Sequence, residues 1–477
     1  VKKKSKAITA MLIAFIFITG AVVGYFIPEK IIKKQVEKQA VDYFVQNDFS
    51  MPFQTFTTFT YENIIGNAVP WAKKYLDESV ATNLENSVKE KYAYRYEAAI
   101  KGLSSNEDIV GYLQKTELVN EINLTKEETL KKLSNLDTSA TVIVPKSSFT
   151  KAYMDQAPDM LVRLPAEYEP IESVFVSFPI LYPSQWKTHM AVISAISKEA
   201  AAVVLVPDVF WHRAVLLYLQ QKNLDLKNIL FAYVKTDDVW IRDYGPTNVI
   251  TSNGSKAFIW NNYYEMYTSY AKLSADAASE LGRYYDVPVY RVPLVVEGGN
   301  IISDGKGTVI MFDSVLKNNP DYDLGKLKKV MKEYYGCNNI ILLPSLRGEL
   351  TGHIDMVVKF VDNDTLMVAE SEKSFQWYQN FEDIADILSN TKSSSGHNYR
   401  IIRMKMASGG TDSERFWSYI NSLTVNGSVI VPIFGAKEDN AALELYKKAM
   451  PGYNVVGVDM SNYPVGSVHC QTKEMYR

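Results

Sequence analysis

From Arg163 onward, short β-rich runs alternate with amphipathic helical stretches, and this alternation restricts the chain to α/β architectures. Strands are predicted at 173–178, 202–206, 229–234, 257–260, 308–312, 340–343, 356–361, 365–369, 400–404 and 428–432. Helical periodicity is predicted at 186–201, 212–221, 270–284, 324–335, 380–389 and 440–449. Turn-forming residues at 303–307, 362–364 and 426–427 predict hairpins. Strand pairs with helices between them imply a domain of repeated modules, although no fixed-period repeat is visible in the residues themselves.

The N-terminal third reads differently. Lys2, Lys3, Lys4 and Lys6 precede an uncharged run, 7–27, whose 21 residues match the thickness of a bilayer core. We read 1–28 as a transmembrane anchor, the alternative being a removed signal peptide. The basic start favours a membrane-anchored protein with an extracytoplasmic body. A tethered cytoplasmic body is the alternative, because Lys30, Lys33 and Lys34 follow the run. Residues 29–150 read as a polar, mostly helical spacer or accessory region, with N-terminal helix signals at Ser105 and Thr125. That leaves 151–477 as the catalytic domain. A net charge of −3 argues against a nucleic-acid partner.

Four short segments carry chemistry. Cys470 is one of two cysteines in 477 residues, too few for a disulfide scaffold, and Cys337 reads as a free thiol. A thiol needs a positive neighbour to ionise near neutral pH. His353 and Asp355, two apart before an apolar run, would face one cavity if the segment is extended. A strand-end hydrogen bond accounts for the pair equally well. Around Trp240, the acids Asp237, Asp238 and Asp243 offer carboxylates for a guanidinium and an aromatic face for its charge. Arg242 is expected to pair with those acids and orient the loop. Glu297, Gly298, Gly299 and Asn300 form a loop that permits close backbone approach, or else a plain turn. His469 would point away from Cys470 in an extended segment. No ligand set with metal-site spacing is evident, so no metal is expected.

Trp240-x-Arg242-Asp243-x-Gly245-Pro246, Glu297-Gly298-Gly299-Asn300, Gly352-His353-x-Asp355 and His469-Cys470, in that order, resemble the agmatine deiminase and Porphyromonas-type peptidylarginine deiminase family. The opening Leu164-Pro165-Ala166-Glu167-Tyr168-Glu169-Pro170 is similar as well. The resemblance implies a five-bladed β/α propeller, the pentein fold, with its site on the central axis. It implies Cys470 as nucleophile, His353 as general acid and base, and Asp243 and Asp355 as guanidinium clamps. Trp240 would line the channel, and Asn421 would match a family active-site asparagine. The implied substrate is a small guanidine or an arginine-containing peptide, converted to N-carbamoylputrescine or citrulline with release of ammonia. A catalytically silent guanidine-binding surface protein and an amidinotransferase of the same fold are the alternatives. Tyr244 resembles the peptidylarginine type. The stretch 257–270, without Arg or Lys but with Glu265, suits an amine better than a carboxylate.

Overall fold

The computed structural model describes residues 82, 86, 102–146, 153–236, 238–263, 274, 276–349, 351–408, 416–463 and 466–477. The apolar run 7–27 predicted to span a membrane lies outside these residues. Among the described residues no helix is long and apolar enough to cross a membrane. Leu103–Arg477 form one compact unit, while the other unit, Val1–Gly102, lies almost wholly outside the described residues.

The unit Leu103–Arg477 opens with helices α1 (Asn106–Gln114), α2 (Leu118–Ile122) and α3 (Lys126–Asn135). Ser105 caps α1, and Thr125 and Glu128 form the expected capping box on α3. Strand β1 (Val162–Arg163) then leads to β2 (Ile171–Ser177), α4 (Trp186–Ser197), β3 (Ala201–Val206), α5 (Val209–Gln221) and β4 (Ile229–Tyr233). A one-turn helix, α6 (Ile241–Tyr244), precedes β5 (Thr247–Thr251), β6 (Lys256–Asn262), α7 (Ala277–Tyr285) and β7 (Val289–Val295). The third group is β8 (Ile302–Ser303), β9 (Thr308–Phe312), α8 (Ser314–Asn318), α9 (Leu324–Tyr335) and β10 (Asn339–Leu343). The fourth is β11 (Val358–Phe360), β12 (Thr365–Glu370), α10 (Tyr378–Ser389) and β13 (Arg400–Lys405). The fifth is β14 (Leu423–Val425), β15 (Ser428–Ile433), α11 (Asp439–Ala449) and β16 (Asn454–Asp459), followed by β17 (Lys473–Tyr476).

These strands make five small sheets, ordered β17-β2-β3-β4, β1-β5-β6-β7, β10-β9-β8, β11-β12-β13 and β14-β15-β16. Each contains a short strand antiparallel to the next, then a helical crossover to a parallel neighbour. The predicted hairpins are all present as β8–β9, β11–β12 and β14–β15. Asn426 adopts φ 47° in the last of them, a left-handed turn position that Asn tolerates. The first sheet combines both ends of this region, because β17 pairs with β2.

Helix faces cover the sheets, and β3, central in the first of them, is apolar throughout. One core cluster joins Phe175, Leu205, Tyr244, Phe258 and Leu281. A second joins Val249, Ile259, Met311, Leu327, Tyr335 and Cys337. Cys337 is a buried free thiol that burial pushes well above its usual pKa.

One predicted strand is corrected. The segment 356–361 begins as a 3-10 turn at Ile354–Met356, and the strand is only Val358–Phe360. His353 and Asp355 therefore sit on a turn, not on alternate positions of an extended strand.

The one-turn helix α6 is tied to the chain end by a buried ion pair between Arg242 and Glu474 on β17. Arg242 Nη1 donates to Glu474 Oε2 at 2.8 Å, and Nη2 donates to Oε1. The partner expected for Arg242 was a nearby aspartate. The structure supplies Glu474 because β17 runs beside this loop, a contact across 232 residues that local spacing cannot reveal. Removing one partner strands a buried charge, so Glu474→Gln is expected to destabilise the protein by about 3–5 kcal/mol. A urea unfolding midpoint unchanged from wild type would contradict this.

Candidate active site

Cys470 lies at the end of a turn that enters β17, 3% exposed. Four backbone contacts fix it. Cys470 N donates to Asn421 Oδ1 at 3.3 Å, and His469 N donates to Asn421 O at 3.2 Å. Arg242 N donates to Cys470 O at 3.1 Å, and its Nε donates to His469 O at 3.1 Å. Arg242 thus serves the scaffold: it holds the turn bearing the thiol while Asp243, its neighbour, faces the pocket. Gly466 has φ 67°, and a Cβ there would lie 2.7 Å from the Trp240 ring and 3.3 Å from Cys470 Cβ. The half-buried Trp240 therefore packs over the turn, edge-on to Tyr463 with centroids 6.0 Å apart.

Three carboxylates, Asp355, Asp243 and Glu297, and two imidazoles, His353 and His469, make up the surroundings of the thiol. Asp355 Oδ2 is 3.9 Å from Cys470 Sγ. His353 Nε2 is 2.7 Å from Glu297 Oε2, and its Nδ1 is 3.5 Å from Asp243 Oδ1. Gly299 N donates to the same Asp243 oxygen at 3.1 Å. A Cβ on Gly299 would stand 2.5 Å from His353 Nδ1 and 2.7 Å from Asp243 Oδ1, so this position admits only glycine. Gly298 is equally confined, against Arg242 O at 2.0 Å. Asn300 uses its amide on the backbone of Phe312, accepting from N at 2.8 Å. Asn421 lies beside both Cys470 and Asp355. Asp238 turns inward onto its own loop, accepting from Val239 N at 2.6 Å and from the Tyr263 hydroxyl at 3.2 Å. Asp237 and Glu265 lie outside the described residues.

His469 departs from expectation. Its Nδ1 is 2.7 Å from Asp355 Oδ2, so it faces the same carboxylate as the thiol. The reason is local: Val468–Gln471 is a turn, closed by Gln471 N donating to Val468 O at 3.3 Å, and adjacent side chains on a turn need not oppose one another. The positive φ of Gly466 and the neighbouring Ser467 were the available signals for that turn.

Burial dominates the electrostatics. It raises Asp355 to about 7, helped by Asp243 and opposed by His353 and Arg242. It raises Asp243 to about 6, with His353 opposing and Glu297 reinforcing. Burial alone would lower His353, but Asp243, Glu297 and Asp355 outweigh it and hold the imidazole at about 10. Cys470 is pushed well above its ordinary pKa by burial and by the Asp355 and Asp243 carboxylates. The site thus combines a protonated imidazole, a protonated thiol and acids ready to face a cation.

Two trios have donor atoms close enough for a metal ion: Asp243, Glu297 and His353, and Glu167, His469 and Glu474. In the first, His353 and Glu297 already satisfy each other. In the second, Lys359 binds Glu167 at 2.6 Å and Arg242 binds Glu474, so resident cations oppose a divalent ion.

With this geometry in view, residues 163–475 match the family described as Porphyromonas-type peptidyl-arginine deiminase. The chain belongs to this family. It is accordingly a hydrolase acting on the carbon–nitrogen bonds of amidines. A curated relative from Marinomonas sp. (strain MWYL1), named "Putative agmatine deiminase", is 26% identical over 358 residues, 66% of this chain and 94% of its own. The solved agmatine deiminase of Enterococcus faecalis is 22% identical with a TM-score of 0.59, covering 66% of this chain and 96% of that one. A substrate-bound agmatine deiminase from C. jejuni, 20% identical, gives a TM-score of 0.57 over 66% of this chain and 97% of its own. At these identities the solved structures establish a shared α/β deiminase fold.

Two outcomes follow from the packing and the charges. Gly299→Ala forces His353 and Asp243 apart and should reduce ammonia release by about 10²-fold, the cost of a 1 Å misplacement, in a protein that still folds. Alkylation of Cys470 by iodoacetamide should be slow at pH 8 and accelerate at higher pH. Removing the negative charge at Asp355 lowers the thiol pKa, so Asp355→Asn should be alkylated faster at pH 8 than wild type.

Proposed function

We propose that the protein hydrolyses a guanidinium group through a covalent intermediate on Cys470. The observation that carries this reading is that Cys470 Sγ lies 3.9 Å from Asp355 and that both buried groups interact with the buried Asp243–His353–Glu297 cluster, Cys470 with Asp243 and Asp355 with Asp243 and His353. A guanidinium ion entering between Asp243 and Asp355 finds two carboxylates able to take its forked N–H groups. Its positive charge offsets the two acids that hold the thiol protonated, so substrate binding itself favours release of the thiol proton to solvent and leaves the thiolate.

The sulfur then forms a bond to the guanidinium carbon. His353, protonated across the neutral range, gives its proton to the departing nitrogen. The carbon–nitrogen bond breaks with its electron pair on that nitrogen, ammonia leaves, and a thiouronium remains. His353, now neutral, takes a proton from water as the oxygen attacks. The carbon–sulfur bond breaks with its electrons on Cys470, the hydroxyl proton of the adduct passes to that sulfur, and a urea-type product leaves with the thiol and protonated His353 restored. Glu297 holds the imidazole through Nε2, and Trp240 walls the pocket over the sulfur. Asn421 supports both the turn and Asp355.

The fold that serves this chemistry is, in our reading, a five-bladed β/α propeller. Five sheets of like construction support it, as does a site built from the segments between them. A small guanidine is the favoured substrate, with agmatine and arginine-ended peptides as the two candidates. The apolar run 7–27 favours an enzyme tethered at a membrane with its body outside the cytoplasm.

The test is ammonia release from a panel of agmatine, free arginine and arginine-ended peptides. Wild type should release ammonia from at least one of these. Cys470→Ala should abolish release, Asp243→Asn and Asp355→Asn should each remove most of it, and His353→Gln should lower kcat by about 10²–10⁴-fold. A wild type that binds guanidines and yields no ammonia would establish a silent receptor. Turnover that depends on an added amine acceptor would establish an amidinotransferase.

A further inference from the structure

His469 touches the pocket's chemistry through Asp355 alone. Both side chains are buried, 4% and 2% exposed. The imidazole Nδ1 lies 2.7 Å from Asp355 Oδ2, the same oxygen that borders Cys470 Sγ at 3.9 Å. The other oxygen, Oδ1, is buried and has no partner of hydrogen-bond geometry among the described residues, although the Asn421 side chain lies alongside the carboxylate. Asp355 is therefore held at one oxygen and open at the other.

The direction of the ring is set by the backbone on either side. His469 N donates to Asn421 O, and its carbonyl accepts from Arg242 Nε at 3.1 Å and from Thr472 N at 3.2 Å. On its far side Nε2 is 3.8 Å from Glu167 Oε2 and 3.9 Å from Glu474 Oε1, beyond direct hydrogen bonding. His469 also lines a cavity of ≈ 50 Å³ together with Arg242, Lys359 and Lys473, a volume and a polar wall suited to buried water. Burial and these three cations keep the ring uncharged. Whenever Asp355 is ionised, a neutral imidazole 2.7 Å from it has one sensible arrangement: the proton sits on Nδ1 and is donated.

We infer that His469 is a positioning residue for guanidine hydrolysis, donating Nδ1–H to Asp355 Oδ2 so that Oδ1 is presented to a guanidinium nitrogen. This rests on the reading of Asp355 as a guanidinium clamp. Without the donor, the carboxylate turns about its Cβ–Cγ bond, and the oxygen beside the sulfur loses its fixed place. Orientation of this kind contributes to catalysis although His469 itself stays clear of the reacting atoms.

Two substitutions separate a donor from a space-filling ring. In Asn the amide nitrogen is attached to Cγ, as Nδ1 is, so His469→Asn keeps a donor near the right place. In Gln the amide lies one carbon further out, so His469→Gln fills more of the space and misplaces the donor. With wild type and Asp355→Asn assayed alongside, His469→Asn should keep kcat/KM within about 3-fold of wild type. His469→Gln should lose about 10²-fold, with KM raised and with urea midpoints that do not follow the activity ranking. In the unsubstituted protein, ¹⁵N chemical shifts of His469 should show the neutral ring protonated at Nδ1. An active wild type in which Gln serves as well as Asn, or a ring protonated at Nε2 alone, overturns this inference and leaves the deiminase reading standing. A wild type that releases no ammonia from any guanidine overturns both.

Discussion

The buried pair between Arg242 and Glu474 joins the two segments that make the site. Asp243 follows Arg242 directly, and Cys470 precedes Glu474 by four residues. Pairing the guanidinium with the glutamate therefore brings acid and thiol into one pocket. The same arginine bonds the carbonyls of His469 and Cys470 from its side chain and backbone. An ion pair of this kind is a poor source of net stability, because desolvating two charges offsets most of their attraction. Its value here is registry. A hydrophobic pair of equal volume could pack β17 against the loop, but it would remove the Arg242 Nε donor from the His469 carbonyl beside the thiol.

A second constraint is the charge held in a dry site. Asp243, Asp355 and Glu297 surround a single imidazole, and the acids respond by rising in pKa while His353 stays protonated. The thiol bears the cost of this arrangement, since each nearby carboxylate opposes its ionisation. A site that disfavours its own thiolate accords with the proposed activation by a cationic substrate, and it protects the thiol from chance oxidants. Behind it, Lys359 with Glu167 and Arg242 with Glu474 balance charges in pairs. Lys473 is the exception: burial and Arg242 lower it to about 7, and it donates to Arg242 O and to Thr247.

Elements with strong periodicity were legible in the sequence. The helix predicted at 324–335 is Leu324–Tyr335, and the strand predicted at 308–312 is Thr308–Phe312. Weaker strands were not: Thr247–Thr251 is polar, Val289–Val295 contains a proline, and Lys473–Tyr476 has four residues with no apolar run. The site residues were legible by chemical type, because a thiol, imidazoles and acids stand out against a largely apolar interior. Their pairing was not. Glu297 on His353, His469 on Asp355 and Glu474 on Arg242 are separated by 56, 114 and 232 residues, and no local pattern encodes contacts of that range.

The position of the Cys470 thiol makes the rest of the fold answerable to a four-residue strand. Terminal segments fray unless they are tied down. β17 is tied on one face by β2 and at its end by Arg477 N donating to Pro170 O at 2.9 Å. The opposite edge of the same sheet, β4, is covered in turn by the segment after α3. Phe231 N donates to Thr141 O at 2.7 Å, and Ile143 N donates to Phe231 O at 2.9 Å. Thr141 also bonds His212 on α5, and Tyr112 on α1 packs edge-on to Trp211 at 5.3 Å. Further along, Met154 bridges to Tyr290 on β7, the edge of the second sheet. An uncovered edge strand is a template for unwanted pairing, and covering it also stiffens the sheet behind it. Residues far from the pocket thus steady the sheet whose opposite edge carries Cys470, which gives the accessory helices a physical part in keeping the thiol where Asp243, His353 and Asp355 can reach it.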